Sequence, residues 1–241
     1  MASETHQPAV TLRLQAPVQE TVARAGVSVR QLPSEIQKSA MPAGAIACDL
    51  FWELDSEPID EGMDSRVIDC LSHTFCVLGS FTFISDEPDI NECLLQRIKA
   101  RLWPSRSPII PIAKDRYRRL HLPRVRTGTL WLVETVRADV ARNFFLIGGW
   151  HYARCQVGYL RDAGSAPLNL SDREIQNVIV RDSRQAMQHT LLASGSKAVC
   201  IPGHDGVWLQ FVFLDVQTMH QFGEQLRASC SAYQLTCVID I

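Results

Sequence analysis

The side chains best suited by type and spacing to do chemistry lie in KDRYRRLHLPRVR, residues 114–126. Six Lys/Arg and one histidine fall within thirteen residues, beside a single acid, Asp115. Lys114, Arg116, Arg118, Arg119, Arg124 and Arg126 form a candidate strip for neutralising phosphates, and Tyr117 and His121 lie where a ring could stack on a base. Such a strip predicts salt-sensitive, largely sequence-independent binding. Arg97, Lys99 and Arg101 extend it on the N-terminal side.

The whole chain carries 24 Lys/Arg and 26 Asp/Glu, a formal net charge of -2, so the basic strip is not a property of the average composition. Residues 1–96 carry net -10, residues 97–126 net +9 and residues 127–241 net -1. This polarity bears on partners and association rather than on fold. It has three readings: the basic segment faces a polyanion, nucleic acid before an anionic membrane face; it faces acidic protein surface; or it is a solvated loop with no partner. Glu53, Asp55, Glu57, Asp60, Glu61 and Asp64 are the candidate acidic docking surface. Between copies of the chain, that complementarity would give a heterologous contact of the kind that builds rings or open arrays.

Other chemistry is sparsely represented. The chain contains no G-x-S-x-G, no Walker A and no G-x-G-x-x-G pattern. The eight cysteines have no two-residue pairing of the zinc-knuckle or redox type. Most of them sit in apolar runs, such as Cys48 in AIACDLFW and Cys237 in LTCVIDI, and are read as reduced, buried small hydrophobes. His151 and Cys155 lie on an expected strand, about 13 Å apart, too far to share a metal. Cys200 and His204 flank a turn but lack the other two ligands of a zinc site. GHDG at 203–206 reads as a hairpin turn rather than a catalytic loop. No cofactor and no metal are expected. Scattered carboxylates such as Glu134 and Asp139 keep a hydrolase or nuclease as an alternative, because such sites leave no mark in linear spacing.

The elements that position these residues read as α+β: an antiparallel or mixed sheet packed with several helices, ending in a β-β-α-β split sandwich. Residues 1–44 have no aromatic residue and little periodicity, and are expected to form a flexible or extended arm. Residues 45–241 are expected to make one globular body. Its first strand is AIACDLFWELD, with Ile46, Cys48, Leu50, Trp52 and Leu54 alternating onto one face. Val67, Cys70, Leu71 and Phe75 give a helical stripe, and GSFTFIS a short strand. The span 85–103 reads as a helix with acids at its start and bases at its end. Pro104, Pro108, Pro111 and Pro123 exclude a regular helix over 104–126, which is expected to be a partly extended excursion.

Strands are expected at TGTLWLVETV, NFFLIGG and WHYARCQVGYL, with RADVARN as a turn or short helix. Ser171 and Glu174 form a capping box ahead of a long helix. KAVCIPG and VWLQFVFLD read as a hairpin. Met219, Phe222, Leu226, Cys230 and Tyr233 give a helical stripe, and LTCVIDI a closing buried strand.

No apolar run reaches membrane-spanning length, and the start, MASETHQPAV, has no secretory pattern. A cytoplasmic or nuclear protein is therefore expected. The functional expectation is non-catalytic polyanion binding, nucleic acid first, in a homo-oligomer-compatible chain. Size and the lack of enzyme motifs also fit a viral structural or host-interfering protein. The alternative outside that class is a protein-protein adaptor or self-assembling matrix or scaffold protein.

Overall fold

A computed structural model describes residues 9–16, 44–54, 64–86, 109–112, 115–120, 130–145, 157–166, 168, 170, 171, 173, 174, 195–202 and 208–241. Ten strands form one mixed sheet in the order β10-β1-β2-β9-β8-β7-β3-β6-β5-β4. In chain order they are β1 Val10–Gln15, β2 Ile46–Leu54, β3 Ser80–Asp86, β4 Ile109–Ile112 and β5 Asp115–Leu120. The remaining five are β6 Leu130–Thr135, β7 Gly158–Arg161, β8 Ala198–Pro202, β9 Trp208–Phe213 and β10 Thr236–Asp240. Three helices occur among the described residues: α1 Ser65–Leu78, α2 Ala138–Phe145 and α3 Val216–Ala232. The chain is thus α+β, with a sheet packed against helices.

Each helix joins two strands that run the same way, with one to three other strands inserted between them. β2-α1-β3 spans β9, β8 and β7; β6-α2-β7 spans β3; β9-α3-β10 spans β2 and β1. Strand β2 points opposite to β6 and β9, and its crossover steps the opposite way along the sheet. All three crossovers therefore have one hand when their helices share a face, as the right-handed rule for such connections requires. They do share it: α1 lies between α2 and α3. Phe75 of α1 sits at the centre, its ring 4.5 Å from Phe81 of β3 and within 6.0 Å of Phe145, Phe211 and Phe222. Each such aromatic pair adds about 0.5–1.5 kcal/mol beyond the area it buries.

Strand parity separates this helix-covered face from the other. Leu12, Leu14, Cys48, Leu50, Phe81, Phe83, Val133, Leu160, Phe211 and Phe213 point into the core beneath the helices. The second face is also largely buried: Asp49, Thr82, Ile84, Tyr159, Val199 and Val212 are all below 5% exposed. The alternation in β2 therefore marks two covered faces rather than one core face and one wet face. Part of the covering is the segment carrying Leu168 and Leu170, both buried.

Helix α1 opens on Asp64, whose carboxylate accepts from Arg66 N at 2.7 Å. It stops at Gly79, where a Cβ would lie 1.9 Å from the Arg161 carbonyl oxygen, so the turn into β3 passes hard against β7. The Ser171–Glu174 capping box forms, with Glu174 N donating to Ser171 Oγ and Ser171 N to the Glu174 carboxylate.

Four expectations change. Residues 1–44 are not wholly an arm: Val10–Gln15 is an inner strand between β10 and β2, because Val10, Leu12 and Leu14 alternate into the core. Asn143, Phe144 and Phe145 belong to α2 rather than to a strand, since Val140, Ala141, Phe144 and Phe145 form one helical stripe. The 104–126 segment contains two sheet strands, β4 and β5. β10 is an edge strand, half exposed along Cys237–Ile239, and α3 delivers it beside β1 rather than beside β8 or β9. Of the helix expected over 85–103, Ser85 and Asp86 instead end β3, and the rest lies outside the described residues, as do the 150–156 part of the strand expected at WHYARCQVGYL, residues 175–194 of the long helix expected after the capping box, and the 203–206 turn.

Candidate polyanion-binding hairpin

β4 and β5 pair antiparallel, with Ile112 opposite Asp115 and Ile109 opposite Arg118, and β5 pairs on its other side with β6. The centre of the basic segment is therefore the last hairpin of the sheet. Pro111 cannot donate a ladder hydrogen bond, a property tolerated on an edge strand such as β4.

The period of two in β5 divides its side chains. Asp115 and Tyr117 turn toward the helices, where Tyr117 is 1% exposed among core side chains. Burial pushes its phenol well above the ordinary range, and its hydroxyl lies 3.5 Å from Asp115 Oδ2. Tyr117 is thus part of the core and does not present a ring for stacking on bases, because it stands opposite Val133 beneath α2 rather than at the rim. Arg119, opposite Trp131, is exposed. Arg116 and Arg118 turn to the second face and are half-buried. Arg116 stands opposite Glu134, and Arg118 Nη2 donates to the Leu170 carbonyl at 2.8 Å. Arg97, Lys99, Arg101, Lys114, His121, Arg124 and Arg126 lie outside the described residues.

Two polar clusters hold this hairpin. On the helix side, Asp115 is 1% exposed. Its Oδ1 accepts from Thr135 Oγ1 at 2.7 Å, and Arg137 Nη1 lies 3.6 Å from Oδ2. Burial raises the Asp115 carboxyl above its ordinary value, against the pull of the Thr135 hydrogen bond and of Arg137. Arg137 also holds Asp139 through a two-nitrogen contact, which lowers that carboxyl. The nearby Cys76 thiol is pushed up to about 12 by burial, assisted by Asp115 and Asp139, and so stays protonated. On the second face, Glu134 Oε1 accepts from Arg161 Nη1 at 2.9 Å and from Leu168 N at 3.0 Å. Glu134 and Asp139 thus work on opposite sides of the sheet and share no carboxylate site.

The acidic candidates are also divided. Glu53 is exposed on β2. Asp64 is not a docking residue, because its carboxylate caps α1 and grips Arg66 through Nε and Nη2, which lowers its pKa. Asp55, Glu57, Asp60 and Glu61 lie outside the described residues. β2 stands six strand steps from β5, about 29 Å along the sheet at ~4.8 Å per step.

Six cysteines are described and all are free thiols. Among the described residues, no three His, Cys, Asp or Glu side chains are grouped to hold a metal ion. No described helix is long and apolar enough to cross a membrane.

Fold and site together define an α+β protein whose ten-stranded sheet ends in an arginine-bearing hairpin. No protein-family model, curated protein or solved structure matches the chain.

Proposed function

We propose that this is a non-catalytic protein that binds a polyanion, nucleic acid in the first place, at the β4–β5 end of the sheet. The observation that supports it most is the position of the hairpin. Arg119 is exposed on β5, one strand in from that rim, while Glu53 of the acidic part stands six strands away. At about 29 Å this exceeds the ~8 Å screening length of physiological salt several times over, so Glu53 does not neutralise the hairpin within one chain. Arg116 and Arg118 serve the fold, and the outer residues of the segment serve the ligand. Action in the cytoplasm or nucleus accords with this reading.

The test is titration of labelled single-stranded and duplex oligonucleotides from about 50 to 200 mM salt, with the native chain and with Arg119→Glu/Arg124→Glu. The expected result is a linear fall of log K with log salt, affinity reduced at least about tenfold in the variant, and a slope shallower by about 1.4 to 1.8 for two lost phosphate contacts. No binding at low salt, or unchanged binding by the variant, refutes the proposal. The same separation of charges also suits a head-to-tail contact between copies, Glu53 end to hairpin end. Sedimentation of the same variant separates this reading: loss of large species with nucleic-acid binding intact would favour it.

A further inference from the structure

The two ends of the sheet are finished differently. At one end the edge strand β4 is four residues long and carries Pro111, both common protections against edge pairing. At the other, β10 (TCVID) has no proline, no lysine and no bulge, and among the described residues nothing pairs with its outer edge.

Its backbone has a definite phase. Ala16 N donates to the Asp240 carbonyl, so Asp240 faces β1. In a parallel ladder the residues alternate, so Val238 also faces β1, while Cys237 and Ile239 turn N–H and C=O to the open edge. Antiparallel pairing of this edge with itself about Val238 sets Cys237 opposite Ile239 of a second copy, and the reverse. Both are then hydrogen-bonded pairs, making about four backbone bonds, and Val238 meets its own copy in the close, non-hydrogen-bonded position. Thr236 falls opposite Asp240. No like charges oppose each other, and Asp240 is already held by Arg13 Nη1 at 2.8 Å.

The helix above the edge has the same symmetry. α3 is the outer helix at this end and lies close on β10: a Cβ on Gly223 would be 3.1 Å from Ile239 Cδ1. It runs opposite to β10. One strand step down from Ile239 to Val238, about 3.3 Å, corresponds to roughly two helix residues at ~1.5 Å each. The level of Val238 therefore falls near residue 225, between Glu224 and Arg227, which are exposed at 76% and 51% and pair with each other within the helix at 2.6 Å, leaving both free to exchange partners across a dyad. A two-fold axis through Val238 sets Glu224 against Arg227 of the other copy, twice.

We propose that β10 pairs antiparallel with β10 of a second copy, giving a two-fold dimer with one continuous sheet and the two α3 helices side by side. The proposal stands apart from the polyanion reading, since it uses the opposite end of the sheet.

Sedimentation equilibrium of the full chain from about 1 to 100 µM tests it. A small interface of one strand and one helix flank per copy is expected to give a monomer–dimer equilibrium in the micromolar range. Val238→Asp places two carboxylates at the dyad while giving Arg13, its neighbour across β1, a partner within the monomer. It is expected to weaken the dimer at least about tenfold. Glu224→Arg weakens it several-fold, and Glu224→Arg with Arg227→Glu restores it to within about twofold. The charge exchange involves only exposed side chains, so it remains decisive if Val238→Asp impairs folding. A monomer at about 100 µM, a dimer indifferent to these variants, or growth beyond a dimer through this edge overturns the proposal.

Discussion

Replacing Asp115 by alanine tests whether the single acid of the basic stretch anchors the hairpin. The carboxylate is 1% exposed and receives the Thr135 hydroxyl at 2.7 Å, with Arg137 3.6 Å away. A hydrogen bond to a charged group contributes about 1.5–3 kcal/mol. The Arg137 pair adds about 0–1 kcal/mol, because that side chain is 47% exposed. Removing a buried charge returns part of this, and Thr135 Oγ1 retains the Arg137 carbonyl at 3.4 Å as a weak alternative acceptor. The expected net loss is about 2 kcal/mol, or roughly 4–8 °C in Tm for a chain of this size.

Asp115→Asn keeps an acceptor for Thr135 and removes the cost of burying charge, so it is expected to stay within about 1 kcal/mol of the native chain. The pH dependence has a definite sign. The folded carboxyl is raised above its unfolded value, so the folded state binds the proton more tightly. Stability from this group is greatest below the unfolded value, about 3.9, and is lost as pH rises through the raised folded value. Asp115→Asn lacks that loss, so its Tm relative to the native chain should rise from pH 3 toward pH 7. Thermal unfolding by circular dichroism over that range is the assay. An alanine variant within about 1 °C of native, or an asparagine variant as damaged as alanine, refutes the anchoring argument.

Glu134→Ala leaves Arg161, whose side chain is 7% exposed, without its carboxylate and Leu168 N without its acceptor. A broken buried pair of this kind costs about 3–5 kcal/mol, to be read from the midpoint of denaturant unfolding. Gly79→Ala brings a Cβ to 1.9 Å from a backbone carbonyl, which no side-chain rotation relieves. The expected result is destabilisation above about 3 kcal/mol or failure to accumulate folded protein, measured by soluble yield and hydrogen exchange in β3 and β7.

The legibility of this chain followed the range of the forces involved. β2, α1, β3, β6, β8, β9 and α3 were readable because each repeats its own apolar period within a few residues, and the Ser171–Glu174 box because both partners are local. β1 leaves little mark in the sequence, because its six residues carry only three buried alternations in a polar, proline-bearing stretch. In α2, Phe144 and Phe145 resemble a strand until Val140 and Ala141 are counted with them. Within the site, the charge excess of the 97–126 segment was visible, but the division of labour in β5 was not. Tyr117 reads as available for stacking until Val133 is known to stand opposite, and Arg118 reads as a phosphate contact until Leu170 is known to receive it.

The amino-acid order by itself determined the α+β class, most element positions and the polarity of charge, since propensity, periodicity and net charge are local or additive. Only the tertiary structure decided that the β4–β5 hairpin ends one side of the sheet and β10 the other. It also decided that Asp115 belongs with Thr135, 20 residues on, and Glu134 with Arg161 and Leu168, 27 and 34 residues on. A period of two tells that a strand has two faces, not which neighbour hydrogen-bonds its edge or what covers its second side. Those depend on the order in which crossovers of one hand lay strands into the sheet, a long-range property that no short window of sequence contains.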